Sequence, residues 1–175
     1  RLEGDYDRAL AQTDRLKLLS DGYHLGIALD LDTRLTRLSW DSQNTKDDDI
    51  LFGLSEALIA LCPDKRSQST PETLFQCGRG HFGRSYLSAL RGNLFDAGSH
   101  GSQAIKAFEA ALAQDPDLTA VKLPLGMAYF YADHLPSFAK LMAPFLWFIP
   151  TGNSDKSLPY IEQVMAEGGP YADAA

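Results

Sequence analysis

Cys62, Cys77 and His81 are the residues of this chain most able to do chemistry, because thiols and imidazole are nucleophiles, redox groups and soft-metal ligands. The two cysteines stand 15 positions apart and flank a polar, proline-bearing loop, PDKRSQSTP at 63–71. If oxidised, they close a loop worth about 3 kcal/mol on the chain-entropy model. Two buried free thiols in a reduced cytosol remain the alternative, and the shared loop tilts the reading toward the disulfide. No paired C-x-x-C or H-x-x-x-H spacing is present and a fourth ligand is missing, so no metal site is expected.

Cys77 opens CGRGHFGR, in which Gly78, Gly80 and Gly83 read G-x-G-x-x-G. A dinucleotide loop of that pattern must follow a strand and open a helix. TPETLFQ, which precedes it, reads as helix, so the glycines are expected to make a helix-to-helix connection. Arg79, His81 and Arg84 beside the next helix start form a possible anion site. Asp30 and Asp32, two apart, do not share a helix face, and Ser85 lacks the G-x-S-x-G setting of a nucleophile. Neither H-E-x-x-H nor a phosphate loop occurs, so no catalytic residues, cofactor or enzymatic activity are expected.

The elements that would position these groups are helical throughout. Valine occurs only at 121 and 164, and no alternating strand pattern is found. Ala104, Ile105, Phe108, Ala111 and Leu112 form one helical face, which Asp115–Pro116 ends. The spacing predicts helices near 5–19, 22–39, 48–61, 71–78, 84–96, 101–114, 119–133, 136–148 and 156–167, with another opening near Pro170. The run Asp47–Asp48–Asp49 is read as capping the third helix, and GSHGS at 98–102 as a turn between paired helices.

Composition bounds the function. The 175 residues suffice for one domain with a buried core, and 45% apolar with 22% charged residues is ordinary for a globular chain. A net charge of −7 argues against a general nucleic-acid or anionic-membrane binder. The longest apolar run, Leu141–Pro150, is too short to span a bilayer and is broken by Pro144. The chain opens at Arg1 inside one helical pattern and closes at Ala175 inside another, which reads as a processed or trimmed chain. An absent signal peptide is therefore no evidence against export, and the cysteine pair slightly favours the cell envelope or periplasm over the cytoplasm.

Gly92, Phe95 and Pro116 recur 34 residues later as Gly126, Tyr129 and Pro150. With Ser85 as the first residue of a unit, Gly92, Phe95, Ala104, Phe108, Ala111 and Pro116 resemble the signature of the tetratricopeptide repeat family. The next unit, from Thr119, keeps Leu125, Gly126, Tyr129 and Pro150 but has Phe138, Met142 and Phe145 in its second helix. Ala172 hints at a third unit, with Tyr160 where a small residue is expected. The opening Gly4-Asp5-Tyr6-Asp7-Arg8-Ala9 is similar to the start of a second helix in the family, out of register with the rest.

The resemblance implies a single all-α domain of antiparallel helix pairs stacked as a short right-handed array. It divides into an irregular helical part over 1–84, two repeats over 85–152 and a partial third over 153–175. It also implies a binding groove along the first helices, through Tyr86, Ala89, Asn93 and Asp96, then Ala120, Leu123, Met127 and Phe130. Asn93 would meet a peptide backbone. Tyr86, Ala89 and Leu90 replace the basic residues of carboxylate-clamp members, so an apolar groove is expected, or else Met127 and Phe130 pack on the next helix. The expected function is a non-enzymatic scaffold binding a protein or peptide. The alternatives are a transporter-associated or small-molecule carrier with an apolar cavity, and homo-oligomerisation through exposed helix ends.

Overall fold

The computed structural model describes residues 4–134 and 153–168. Among these, every regular element is helical: α1 (Tyr6–Lys17), α2 (Tyr23–Trp40), α3 (Asp48–Ile59), a 3-10 turn (Arg66–Gln68), α4 (Pro71–Leu90), α5 (Leu94–Gln114), α6 (Thr119–Asp133) and α7 (Ser154–Glu167). The expected helix at 136–148, with Phe138, Met142, Phe145 and Pro150, and the last one near Pro170 with Ala172, lie outside the described residues. No described helix is long and apolar enough to cross a membrane.

Helix α4 organises the molecule. It packs on α5 along its length, on α3 at its middle and on α2. Leu74 and Phe75 near its start join a core with Ala104, Ile105, Phe108 and Ala111 of α5 and Val121, Leu125 and Tyr129 of α6. Leu87 near its end joins a second core of Ile27, Ala28, Leu31 and Leu38 of α2 and Leu51 and Leu58 of α3. Further pairings set α1 against α2 and α7 against α6.

Two boundaries differ from the sequence expectation. The first is the glycine stretch, which is no connection: α4 runs unbroken from Pro71 to Leu90 through Gly78, Gly80 and Gly83. Pro71 at the first turn and the Thr70 side chain, which accepts from the Thr73 amide, start it firmly. The glycines are there for closeness. A Cβ at Gly78 would stand 2.4 Å from Phe108 Cε1, at Gly80 2.8 Å from the Ser55 carbonyl oxygen, and at Gly83 2.9 Å from Leu31 Cδ2. Each glycine weakens helix propensity by up to about 1 kcal/mol relative to Ala, and contact with three helices offsets it. The expected division at 84/85 therefore falls inside α4.

The second is the turn of the helical pair, at 91–93 and not at 98–102. Gly92 adopts φ +78°, the left-handed conformation that favours glycine. Asn93 then caps α5, its side-chain oxygen accepting from the Asp96 amide at 3.3 Å. GSHGS lies within the 21-residue α5. The 34-residue recurrence thus joins residues with different work. Gly92 makes a turn and Phe95 is 60% exposed, whereas Gly126 brings α6 onto α7, where its Cβ would meet the Ser157 carbonyl oxygen at 3.0 Å. Ala104, Phe108 and Ala111 are fully buried.

Asn93→Ala is accordingly expected to lower stability by about 1 kcal/mol through loss of the cap. A urea melt followed by circular dichroism reads this as a lower midpoint at unchanged slope. A midpoint equal to wild type would show that the cap contributes nothing.

Candidate functional site

A cleft of about 460 Å³ opens between α2, α4 and α6, with Phe108 of α5 at its floor. Helix α4 contributes Phe75, Arg79, Phe82 and Tyr86, three or four residues apart and so on one face. Ala120, Leu123, Pro124, Met127 and Tyr131 face them from α6, and Asp32, Leu35, Thr36 and Ser39 line the α2 side. The walls are predominantly apolar. Their charged feature is Arg79, only 5% exposed, whose Nη2 donates to Asp32 Oδ2 at 2.6 Å and Nη1 to Gln76 Oε1 at 3.2 Å. Its guanidinium also lies 5.3 Å from the Phe75 ring centroid, a cation–π contact. Burial, and after it the neighbouring Tyr131, pushes the Tyr86 phenol above its ordinary range, so it stays a neutral donor at pH 7.

Of the residues expected to form a groove, the structure brings Tyr86, Leu123 and Met127 to this cleft. Ala120 lines it as well, whereas Ala89, Asn93, Asp96 and Phe130 are not among its lining residues. Asn93 is the α5 cap. Asp96 turns toward Arg84, whose Nε donates to its Oδ2 at 2.9 Å. Burial opposes ionisation of Asp96, but Ser88 and Arg84 outweigh it and hold the carboxyl below its ordinary value. Phe130 is 40% exposed on another face and stacks on His134 at 4.0 Å.

Arg79, His81 and Arg84 do not converge on an anion. The helix start that would complete such a site is at Pro71, and each side chain has its own partner. Arg79 holds Asp32. Arg84 holds Asp96 and Glu56 and lies 4.4 Å over the Phe52 ring. His81 Nδ1 meets His100 Nδ1 at 2.8 Å, and burial, then His100 and Arg66, push its pKa down to about 4.

The carboxylates that were candidates for acid–base work are likewise occupied. Asp30 is buried between Lys17 and Arg34, with Arg34 Nε 2.6 Å from Oδ1. The acidic run stands at the start of α3 as expected, but it makes no side-chain cap. Asp47 pairs with Arg34 and Arg37 instead, and Asp48 takes Arg91 bidentately at 2.7 and 2.9 Å. Cys62 and Cys77 form a disulfide.

Sequence reasoning missed the α2 wall and the Asp32–Arg79 pair, which spans 47 residues. It also missed Phe75 and Phe82. Their i, i+4, i+7 spacing with Arg79 was readable, but only once α4 is taken as one helix through the glycines. No family model, curated protein or solved structure matches this chain.

Proposed function

We propose that the chain is a non-enzymatic helical binding module whose cleft between α2, α4 and α6 receives apolar side chains of a protein or peptide partner. The observation that carries this is the cleft itself: apolar walls from three helices, with its charged groups paired to each other. Among the described residues, every buried side-chain nitrogen and oxygen already has a hydrogen-bond partner. Recognition then rests on shape and apolar area, with half-buried Met127 able to adapt to its occupant.

The resemblance to tetratricopeptide repeats agrees with this reading through the buried Ala104, Phe108 and Ala111 between α4 and α5. The Cys62–Cys77 disulfide supports an oxidising compartment such as the cell envelope. A second reading has its own support. The 460 Å³ volume falls in the range that holds small organic ligands, as expected of a carrier.

Met127→Glu and Tyr86→Ala are expected to weaken binding at least about tenfold, because each alters a central apolar contact. Phe130→Asp, outside the cleft, should leave it unchanged. A displayed peptide library selected on the wild-type protein, with a photo-cross-linker at position 127, supplies the ligand and maps its site. Selected peptides that bind all three variants alike would remove the cleft from consideration. Native mass spectrometry of the purified chain separates the second reading, which requires a small molecule that leaves on denaturation.

A further inference from the structure

The surroundings of the disulfide hold more than a cross-link. One ligand atom each from Cys62, Cys77 and His81 lie within 4.8 Å of one another. Cys77 and His81 are four residues apart on α4 and so share a face one turn apart. Cys62 follows α3, which α4 meets at the close Gly80 contact, and the Cα atoms of the two cysteines are 5.0 Å apart. Helix α4 and the segment just after α3 therefore bring two sulfurs and an imidazole near one point. A zinc ion, with Zn–S of about 2.3 Å and Zn–N of about 2.0 Å, separates its ligand atoms by roughly 3.3–3.8 Å. Reduction frees both cysteine side chains to rotate among their rotamers toward that spacing.

His100 adds the outer partner that metal-bound histidines commonly have. With a proton on His81 Nδ1 donated to His100 Nδ1, across the observed 2.8 Å, His81 Nε2 keeps its lone pair. Two thiolates cancel the charge of a divalent ion.

We propose that, in the dithiol form of this chain, Cys62, Cys77 and His81 hold one zinc ion, with His100 as the positioning residue for the His81 ring. The ligand set is that of soft or borderline metals, not of calcium or magnesium. The site forms in two balanced steps. A dithiol reductant breaks the Sγ–Sγ bond by exchange, giving two protein thiols and leaving as its own disulfide; the two electrons and two protons come from it. Zinc then binds both sulfurs and releases two protons to the solvent. The disulfide and the metal are thus alternative occupants of the same pair of sulfurs.

The test uses the full chain, reduced with dithiothreitol, desalted anaerobically and titrated with Zn²⁺ against a chromophoric chelator. One equivalent is expected in the reduced protein and none in the oxidised protein. Co²⁺ in place of Zn²⁺ should give a thiolate-to-metal charge-transfer band, lost in Cys62→Ser. His81→Ala should abolish stoichiometric uptake. His100→Ala should loosen the ion about 10–100-fold, and His100→Gln, whose amide oxygen accepts the same N–H, should restore it. If reduction unfolds the chain, circular dichroism during the titration decides: recovery of helix with zinc supports the site, and no recovery overturns it. Uptake by the oxidised protein, or by His81→Ala as by wild type, overturns it too.

Discussion

Gly80→Val is expected to destabilise the protein by more than about 3 kcal/mol, beyond the usual 1–3 kcal/mol of overpacking. A Cβ there would lie 2.8 Å from the Ser55 carbonyl oxygen and 2.9 Å from the Ile59 amide nitrogen. Both are backbone atoms of α3, so no side-chain rotation relieves the clash. Nor can α3 shift freely, because fully buried Leu51 and Leu58 anchor it in the core it shares with Leu87 of α4. Valine adds a branched side chain to this contact, whereas alanine would bring the Cβ alone and cost less. Gly53→Ala is the matched control. Gly53 lies inside α3 with nothing within 4 Å of its would-be Cβ, so alanine should stabilise by up to about 1 kcal/mol through helix propensity. Urea melts of the three proteins read both effects. A Gly80→Val midpoint equal to wild type would mean that α3 and α4 do not touch at this point.

The same glycines mark the limit of what the sequence discloses. Helix existence and most ends were legible, because α1, α2, α3, α6 and α7 carry their apolar period and end at turn residues. What was not legible is whether a glycine breaks a helix or lets another approach. Gly78, Gly80 and Gly83 look locally like a loop, and only Phe108, Ser55 and Leu31, brought up from other helices, give them a reason to be small. Gly92 looks locally like a packing residue, and only the Asn93 cap makes it a turn. Shifting the turn from 98–102 to 91–93 moved Asn93 and Asp96 off the face that carries Tyr86. Tyr86, Ala120, Leu123 and Met127 line the cleft because α4 and α6 each place them along the side that faces it. The α2 wall had no local signal, since Asp32 meets Arg79 only through the tertiary fold. The separation of Asp30 from Asp32 did follow from helical geometry: one binds Lys17 and Arg34 on α1 and α2, the other faces α4.

The cleft and the glycine stripe are linked through α4. Phe75, Arg79, Phe82 and Tyr86 occupy the face opposed to α6, while Gly80 is pressed against α3. A loosened α3–α4 contact would free the helix that carries one whole wall of the cleft. Gly80→Ala is therefore a graded probe of the proposed binding, since it perturbs the wall without touching any residue that lines it.

Reduction of the Cys62–Cys77 bond in the presence of a chelator is expected to cost about 3 kcal/mol, because it frees a 15-residue loop in the unfolded ensemble. For a chain of this size that corresponds to a thermal midpoint lower by about 6–12 °C. The folded loop should change little. Arg66 Nη2 still donates to Gln103 Oε1 at 2.8 Å, Gln114 Nε2 still donates to the Arg66 carbonyl at 3.1 Å, and Leu74 and Phe75 still anchor the start of α4 in the core. These contacts act on the folded side of the equilibrium, whereas the cross-link acts chiefly on the unfolded side, so they do not substitute for it. The two effects separate experimentally. Far-UV circular dichroism at 25 °C should be unaltered by dithiothreitol plus chelator, while the melt shifts down, and Cys62→Ser with Cys77→Ala should reproduce the shift without any reductant. An unshifted melt, with both thiols shown free by alkylation, would mean that residual structure already confines this loop in the unfolded chain and that the cross-link adds no stability.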